Sequence, residues 1–219
     1  MRNQLSFDWP TGVALGPEDF FVSEANEQAY AMINAPQSWP DRKLVVVGPA
    51  GSGKSHLTRI FADQKGAQLV AAADLQASFR ADAASVIVED MEQLAQSAEE
   101  PMFHLHNHLR NTGGMLLMTA SIPPSRWSIA LPDLASRMQA THITRIDSPD
   151  DALLSALIMK LFADRQIMPK PDLVTYLVPR IERSFAAAAD IVARLDATAF
   201  AQNRKINITL ARALLDNAG

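Results

Sequence analysis

Cysteine is absent from all 219 residues, which excludes disulfides, thiol catalysis and cysteine-ligated zinc. Also missing is any apolar run approaching the ~18 residues of a membrane span, and the amino terminus lacks the charged-then-apolar pattern of an export signal. Basic residues are not in excess: 20 Lys and Arg stand against 24 Asp and Glu, a net charge of −4, and the pI is near 5.7. A dedicated nucleic-acid reader normally carries a basic face, so that class is disfavoured. No internal repeat or low-complexity tract occurs, although Ser184–Asp190 is locally rich in alanine. With 48% apolar residues, the chain is expected to form a cytoplasmic globular protein of one mid-sized domain, or a domain with a smaller appendage.

The strongest signal reads LVVVGPAGSGKS from Leu44 to Ser55. Leu44–Val47 form a buried-strand pattern. Gly48, Pro49, Ala50, Gly51, Ser52, Gly53, Lys54 and Ser55 then match G-x-x-x-x-G-K-[ST]. His56 follows, and Leu57, Ile60 and Phe61 recur at helical spacing. Strand, loop and helix in this order are the context that a phosphate-binding loop requires. Gly48, Gly51 and Gly53 permit backbone conformations that turn N–H groups toward phosphate. Lys54 would reach the β- and γ-oxygens, the Ser55 hydroxyl would hold Mg²⁺, and the helix N-terminus adds positive partial charge.

A phosphate-binding loop needs an acidic strand end to complete its magnesium site. Ser85–Asp90 reads SVIVED and supplies Glu89, to hold Mg²⁺ through water, and Asp90, to orient or deprotonate the attacking water. Further strands are expected at Gly66–Val70, Gly114–Ala120 and Thr141–Ile146. Helical patterns separate them, which predicts an α/β fold with a mainly parallel five-stranded sheet. Ser121 ends the fourth strand and suits either a γ-phosphate contact or a plain turn before Pro123-Pro124. The texture changes near residue 148, where Ser148 as N-cap and Pro149 as first helical residue start a helix. From there helices alone are expected, with breaks at Met168–Pro171 and Asn203–Ile208. His104 and His108 stand one helical turn apart, but no Glu lies between them and no third ligand is evident, so a solvated helix face is expected.

The beginning of the chain is unusual for a terminus. In Gln4–Trp9 (QLSFDW), Leu5, Phe7 and Trp9 alternate with Gln4, Ser6 and Asp8. The row suits an extended segment lying on its own domain or on another protein.

A phosphate-binding-loop α/β domain followed by a small helical lid is the plan of the AAA+ ATPases. The stretch LPDLASRM (Leu131–Met138) resembles the arginine-finger box of the replication initiator DnaA and its shorter relatives of the Hda type. Asp19–Ile33 resembles the segment that frames adenine in these proteins, and Thr119–Trp127 resembles their first sensor region. The resemblance covers nearly the whole chain and implies a clamp-binding peptide at 1–10, an AAA+ nucleotide-binding domain at 11–147 and a helical lid at 148–219. It implies ADP or ATP with Mg²⁺ as ligands, Phe21 and Val22 flanking the base, and Asn26 fixing the turn. It also implies Arg137 reaching into a neighbouring subunit's nucleotide, and Gln4, Leu5, Phe7 and Trp9 docking into the replicative sliding clamp.

The partners so implied are the clamp and DnaA; the family plan also allows a homo-oligomer. No membrane contact is expected. Neither is sequence-specific DNA binding, since no counterpart of DnaA's helix-turn-helix reader follows the lid region. An autonomous AAA+ ATPase of helicase-loader or remodeller type is the alternative. Three positions depart from the initiator: Glu89-Asp90 replaces paired aspartates, Ser121 replaces an acid, and Ala187 falls where the lid's second-sensor arginine is expected. These departures predict weak hydrolysis by the protein itself. Arg183 or Arg180 could substitute for that arginine, but each residue turns a helix by ~100°, so neither is equivalent by position alone.

Overall fold

Five short apolar runs pair side by side into one sheet. The computed structural model describes residues 20–216, so Gln4, Leu5, Phe7 and Trp9 lie outside the described residues. The strands are β1 (Lys43–Val47), β2 (Gln68–Ala71), β3 (Ser85–Glu89), β4 (Met115–Ala120) and β5 (Ile143–Arg145). Their order is β2-β3-β4-β1-β5, and all four pairings are parallel. The described helices are α1 (Glu27–Asn34), α2 (Lys54–Lys65), α3 (Glu99–Thr112), α4 (Pro132–Ala140), α5 (Asp151–Ala163), α6 (Pro171–Leu177), α7 (Phe185–Ala201) and α8 (Ile208–Asp216).

Side-chain alternation along the strands builds two apolar layers. Val45, Val47, Val86, Val88, Leu116 and Met118 face α3 and α4, packing with Met102, Leu105, Leu109, Leu134 and Met138. Leu44, Val46, Ile87 and Leu117 face the opposite way, against Ile33 of α1 and Leu57 and Phe61 of α2. Burial on both faces explains why the strands read as continuous apolar runs. A third cluster joins α5 to α8 through Leu154, Ile158, Phe162, Leu173, Leu177, Ile191, Leu195 and Leu210. This helical unit is anchored to the sheet layer by Leu153 and Phe185, which pack within the α1–α2 cluster, and by half-buried Leu157 against it.

Several sequence expectations shift by a few residues. Gly66 does not open β2; it ends α2 in the left-handed conformation, φ 59°, where glycine carries no steric penalty. β5 spans three residues only. The helical region contains a further break before α7, where Ser184 is the N-cap and its side chain accepts from Ala187 N–H. Helix α5 begins later than expected. Its N-cap is Asp150, whose Oδ1 accepts from Leu153 N–H at 2.7 Å, whereas Ser148 is exposed. The longer carboxylate captures the third helical amide, a contact that Ser148 is two residues too early to make.

That difference is testable. Asp150→Ala is expected to cost about 1 kcal/mol, a fall in melting temperature of about 2–4 °C for a chain of this size. Ser148→Ala should leave thermal unfolding unchanged.

Candidate functional site

In a parallel sheet, ligand-binding crevices form beyond the carboxyl ends of the strands, where neighbouring connections diverge. Here β1 leads away to the edge strand β2, while its neighbours are β4 and β5. Val47 pairs with Ala120 and Val88 with Met118, so β1, β3 and β4 end together. Gly48 N–H then donates to the Ala120 carbonyl at 3.1 Å. Residues Gly48–Ser55, Glu89–Asp90 and Ser121, remote from one another in sequence, therefore meet at one edge.

The loop is built by two glycines in conformations that side chains disfavour, Gly51 at φ 78° and Gly53 at φ 94°. Gly48 is needed for a different reason, close approach: a Cβ there would lie 2.7 Å from Ser52 Oγ and 3.0 Å from Ile146 Cβ. Ser52 Oγ is buried without a hydrogen-bond partner. Gly53 caps α2 with no side chain serving the helix's first amides, which leaves donors and positive partial charge for an anion. Lys54 is buried, and its Nζ donates to the carbonyls of Gly48 (2.8 Å) and Pro49 (3.0 Å). Burial lowers its pKa, opposed by Asp90, Glu92 and Glu89. Pro49, Ala50 and Ser55 are exposed, and His56 is half-buried. These donors fit a polyphosphate, and the hydroxyl of Ser55 together with the carboxylate of Glu89 fits a hydrated Mg²⁺.

The acidic end of β3 is more elaborate than its sequence suggests. Glu89 Oε1 accepts from Thr58 Oγ1 of α2 at 2.7 Å. Asp90 turns the chain with φ 55°, a left-handed conformation that short polar side chains tolerate, and its N–H donates to Thr119 Oγ1 at 3.2 Å. Its carboxyl pKa is raised, first by burial and then by Glu92, against the pull of Lys54. The turn Met91–Gln93 brings Glu92 back toward β4, where its Oε1 accepts from Ser121 N–H at 2.9 Å. Its Oε2 is buried and unpartnered. Glu92 is thus a member of the site that motif spacing does not reveal.

On the other side of the loop, Asn26 is buried and closes the turn before α1. Its Oδ1 accepts from Ser23 N–H and its Nδ2 donates to the Phe21 carbonyl, both at 2.9 Å. Phe21 is half-buried and Val22 is 42% exposed. Phe20 makes the link to the loop: it stacks on Tyr30, meets His56 edge-on with centroids 5.4 Å apart, and lies 3.0 Å from where a Gly53 Cβ would stand. Phe185 closes the other flank, its Cβ 3.6 Å from a Cβ built at Gly51. Neither phenylalanine stood out in the sequence, although the pair Phe20-Phe21 beside the base-framing segment was a usable signal. Ala187 is half-buried on the first turn of α7. Of the nearby arginines, Arg183 pairs with Asp151 at 2.8 Å, and Arg180 lies 4.0 Å over the Tyr176 ring.

Arg137 stands apart from this group. It occupies the last turn of α4, which leads to β5 beside the beginning of β1, where Val45 N–H donates to the His142 carbonyl. Its guanidinium lies 5.0 Å over the Phe103 ring of α3. Its charge acts on Lys43, the first residue of β1, and on buried His106, whose pKa is lowered to about 4 by burial first, then by Lys43 and Arg137. His104 and His108 are exposed on α3. Among the described residues, no cluster of three metal-ligating side chains occurs, and no helix is long and apolar enough to cross a membrane.

No protein-family model matches the chain. The chromosomal replication initiator protein DnaA of Cutibacterium acnes is 24% identical over 246 aligned positions, which cover 98% of this chain and 49% of that protein. The chain therefore spans about half the length of this relative. Among solved structures, domain III of the Thermotoga maritima replication initiation protein DnaA superposes with a TM-score of 0.74 at 16% identity, covering 95% of this chain and 98% of that one. AMPPCP-bound DnaA from Aquifex aeolicus gives 0.65 at 16% identity, with 84% and 65% covered. The Thermotoga maritima RuvB branch migration motor gives 0.63, also at 16%, with 92% and 72% covered. The fold is the AAA+ phosphate-binding-loop fold. Within it the chain is similar to the AAA+ domain of DnaA over nearly all of its own length.

The loop geometry makes Lys54 decisive for phosphate. Lys54→Ala should weaken ADP and ATP binding by about tenfold or more, since a charge-assisted contact is lost. The nucleotide-dependent rise in melting temperature should disappear with it. Calorimetric titration and thermal shift check both.

Proposed function

We propose that this protein is an Hda-type regulator of chromosomal replication initiation, which binds adenine nucleotide and the sliding clamp and stimulates hydrolysis of ATP held by DnaA. The observation that carries this reading is the separation of Arg137 from the nucleotide site of its own chain. Its electrostatic neighbours are Lys43 and His106, so its guanidinium is suited to the phosphates of another subunit. In the proposed arrangement 11–147 binds nucleotide and 148–219 covers it. Phe21 and Val22 flank adenine on the turn held by Asn26. Gly48–His56 cradle the phosphates, Ser55 and Glu89 hold Mg²⁺, and Asp90 and Ser121 face the terminal phosphate. Mg²⁺, when bound, offsets charge on the phosphates. Gln4, Leu5, Phe7 and Trp9 form the clamp-docking peptide: three large apolar anchors and one polar hook, a composition suited to a segment that orders on binding. The compartment is the cytoplasm.

An arginine supplied in trans changes phosphoryl-transfer rates by ~10³–10⁵, which corresponds to roughly 4 to 7 kcal/mol of barrier. A partly exposed structural arginine contributes about 0–1 kcal/mol. Arg137→Ala should therefore abolish stimulation of DnaA-ATP hydrolysis in the presence of DNA-loaded clamp, while folding and nucleotide binding persist. Arg137→Lys should rescue poorly, lacking the planar fork. Near-wild-type phosphate release with the alanine variant would refute the mechanism, and rapid turnover by the protein without DnaA would favour an autonomous ATPase.

Clamp docking is tested separately. The Gln4→Ala, Leu5→Ala, Phe7→Ala triple variant should lose capture by the sliding clamp and keep its circular dichroism spectrum. Retained capture, or a collapsed fold, would assign the peptide to the protein's own core.

A further inference from the structure

The end of β4 is connected to the phosphate-binding loop by one hydrogen bond and to Glu92 by the next. Gly48 N–H donates to the Ala120 carbonyl at 3.1 Å, and Ser121 N–H donates to Glu92 Oε1 at 2.9 Å. The Glu92 carboxylate is thus fixed one peptide unit beyond the residue that holds the start of the loop. Its other oxygen, Oε2, is buried with no hydrogen-bond donor. Keeping such an atom without a donor is costly. Lys54 is the cation these acids face: after burial, Asp90 acts on it most, then Glu92, then Glu89. Glu89 is already engaged by Thr58.

We propose that Glu92 is the specificity-determining residue of the nucleotide site, selecting a nucleoside diphosphate over a triphosphate. This rests on the nucleotide-binding reading given above. The loop amides serve the first two phosphates of a bound nucleotide, and Lys54 reaches the second and third. A third phosphate extends past the loop toward the ends of β3 and β4. There the backbone donor at Ser121 is already taken by Glu92, and the carboxylate opposes the incoming charge. Both effects act on the third phosphate and spare the second.

Glu92→Gln tests this, because glutamine has the same shape and keeps an acceptor for Ser121 N–H while removing the charge. ADP and ATP affinities are measured by calorimetry at fixed Mg²⁺ for the wild type, Glu92→Gln and Glu92→Ala. The wild type should bind ADP more tightly than ATP. In Glu92→Gln, affinity for ATP should rise about tenfold relative to ADP, the effect of one unit charge roughly 12 Å away at the effective dielectric of ~20 near a protein surface. Glu92→Ala should show the same change in ratio with a lower melting temperature, and it decides the matter if the glutamine variant does not fold. An unchanged ratio, equal losses for both nucleotides, or a wild type indifferent to the third phosphate would overturn the proposal. If the wild type binds ADP and loses it in Lys54→Ala, such a failure concerns Glu92 alone. If the wild type binds neither nucleotide, the site reading and the proposal fall together.

Discussion

With Val47 set opposite Ala120, β1 and β4 end at one level, and the Gly48 amide closes the step by donating to Ala120. The candidate site depends on this register. It brings the loop, the acids of β3 and the turn after β4 to a common edge, although at least thirty residues separate each from the next along the chain. The same register decides which side of the sheet each valine faces. A slip of one residue would exchange Val45 with Val46 and send both apolar rows to the wrong layer. Burial on two faces therefore fixes the geometry of a polar site to which the buried residues contribute no functional group.

The charge arrangement at that edge is one-sided. Lys54 is the ammonium on which Asp90, Glu92 and Glu89 all act, and it rests on two carbonyls of its own loop. A group held by neutral acceptors gives them up readily for a charged ligand, because charge-assisted hydrogen bonds are about twice as strong. Ser52 Oγ, buried without a partner, marks the same loop as arranged for something beyond its own backbone. The acids have the opposite effect and limit how much negative charge the site accepts.

The loop was legible in the sequence because its chemistry is contiguous: strand, glycines, Lys54 and Ser55 follow one another, and the backbone does the rest. Glu89 and Asp90 were legible because a strand end is where acids of this kind are useful. Glu92 was not, since its place depends on the left-handed conformation of Asp90 and the short turn that follows, neither of which leaves a periodic trace. Phe20 and Phe185 were missed for a related reason: on a linear chain each looks like any other core aromatic, and only folding brings both against the same loop. At the start of α5, Ser148 and Asp150 are both good caps by type, and the choice between them was made by which side chain reaches Leu153 N–H.

Phe185, at the first turn of α7, touches the loop from the lid side, within 3.6 Å of where a Gly51 Cβ would stand. The helix that starts there runs for 17 residues and carries near its far end Phe200, 90% exposed. A helix of that length measures ~25 Å, so a tilt of only ~10° about Phe185 displaces the far end by about 4 Å. Between those ends Ile191 and Leu195 lie in the core shared with α5, α6 and α8, so such a tilt would have to carry the helical unit with it as one packed body.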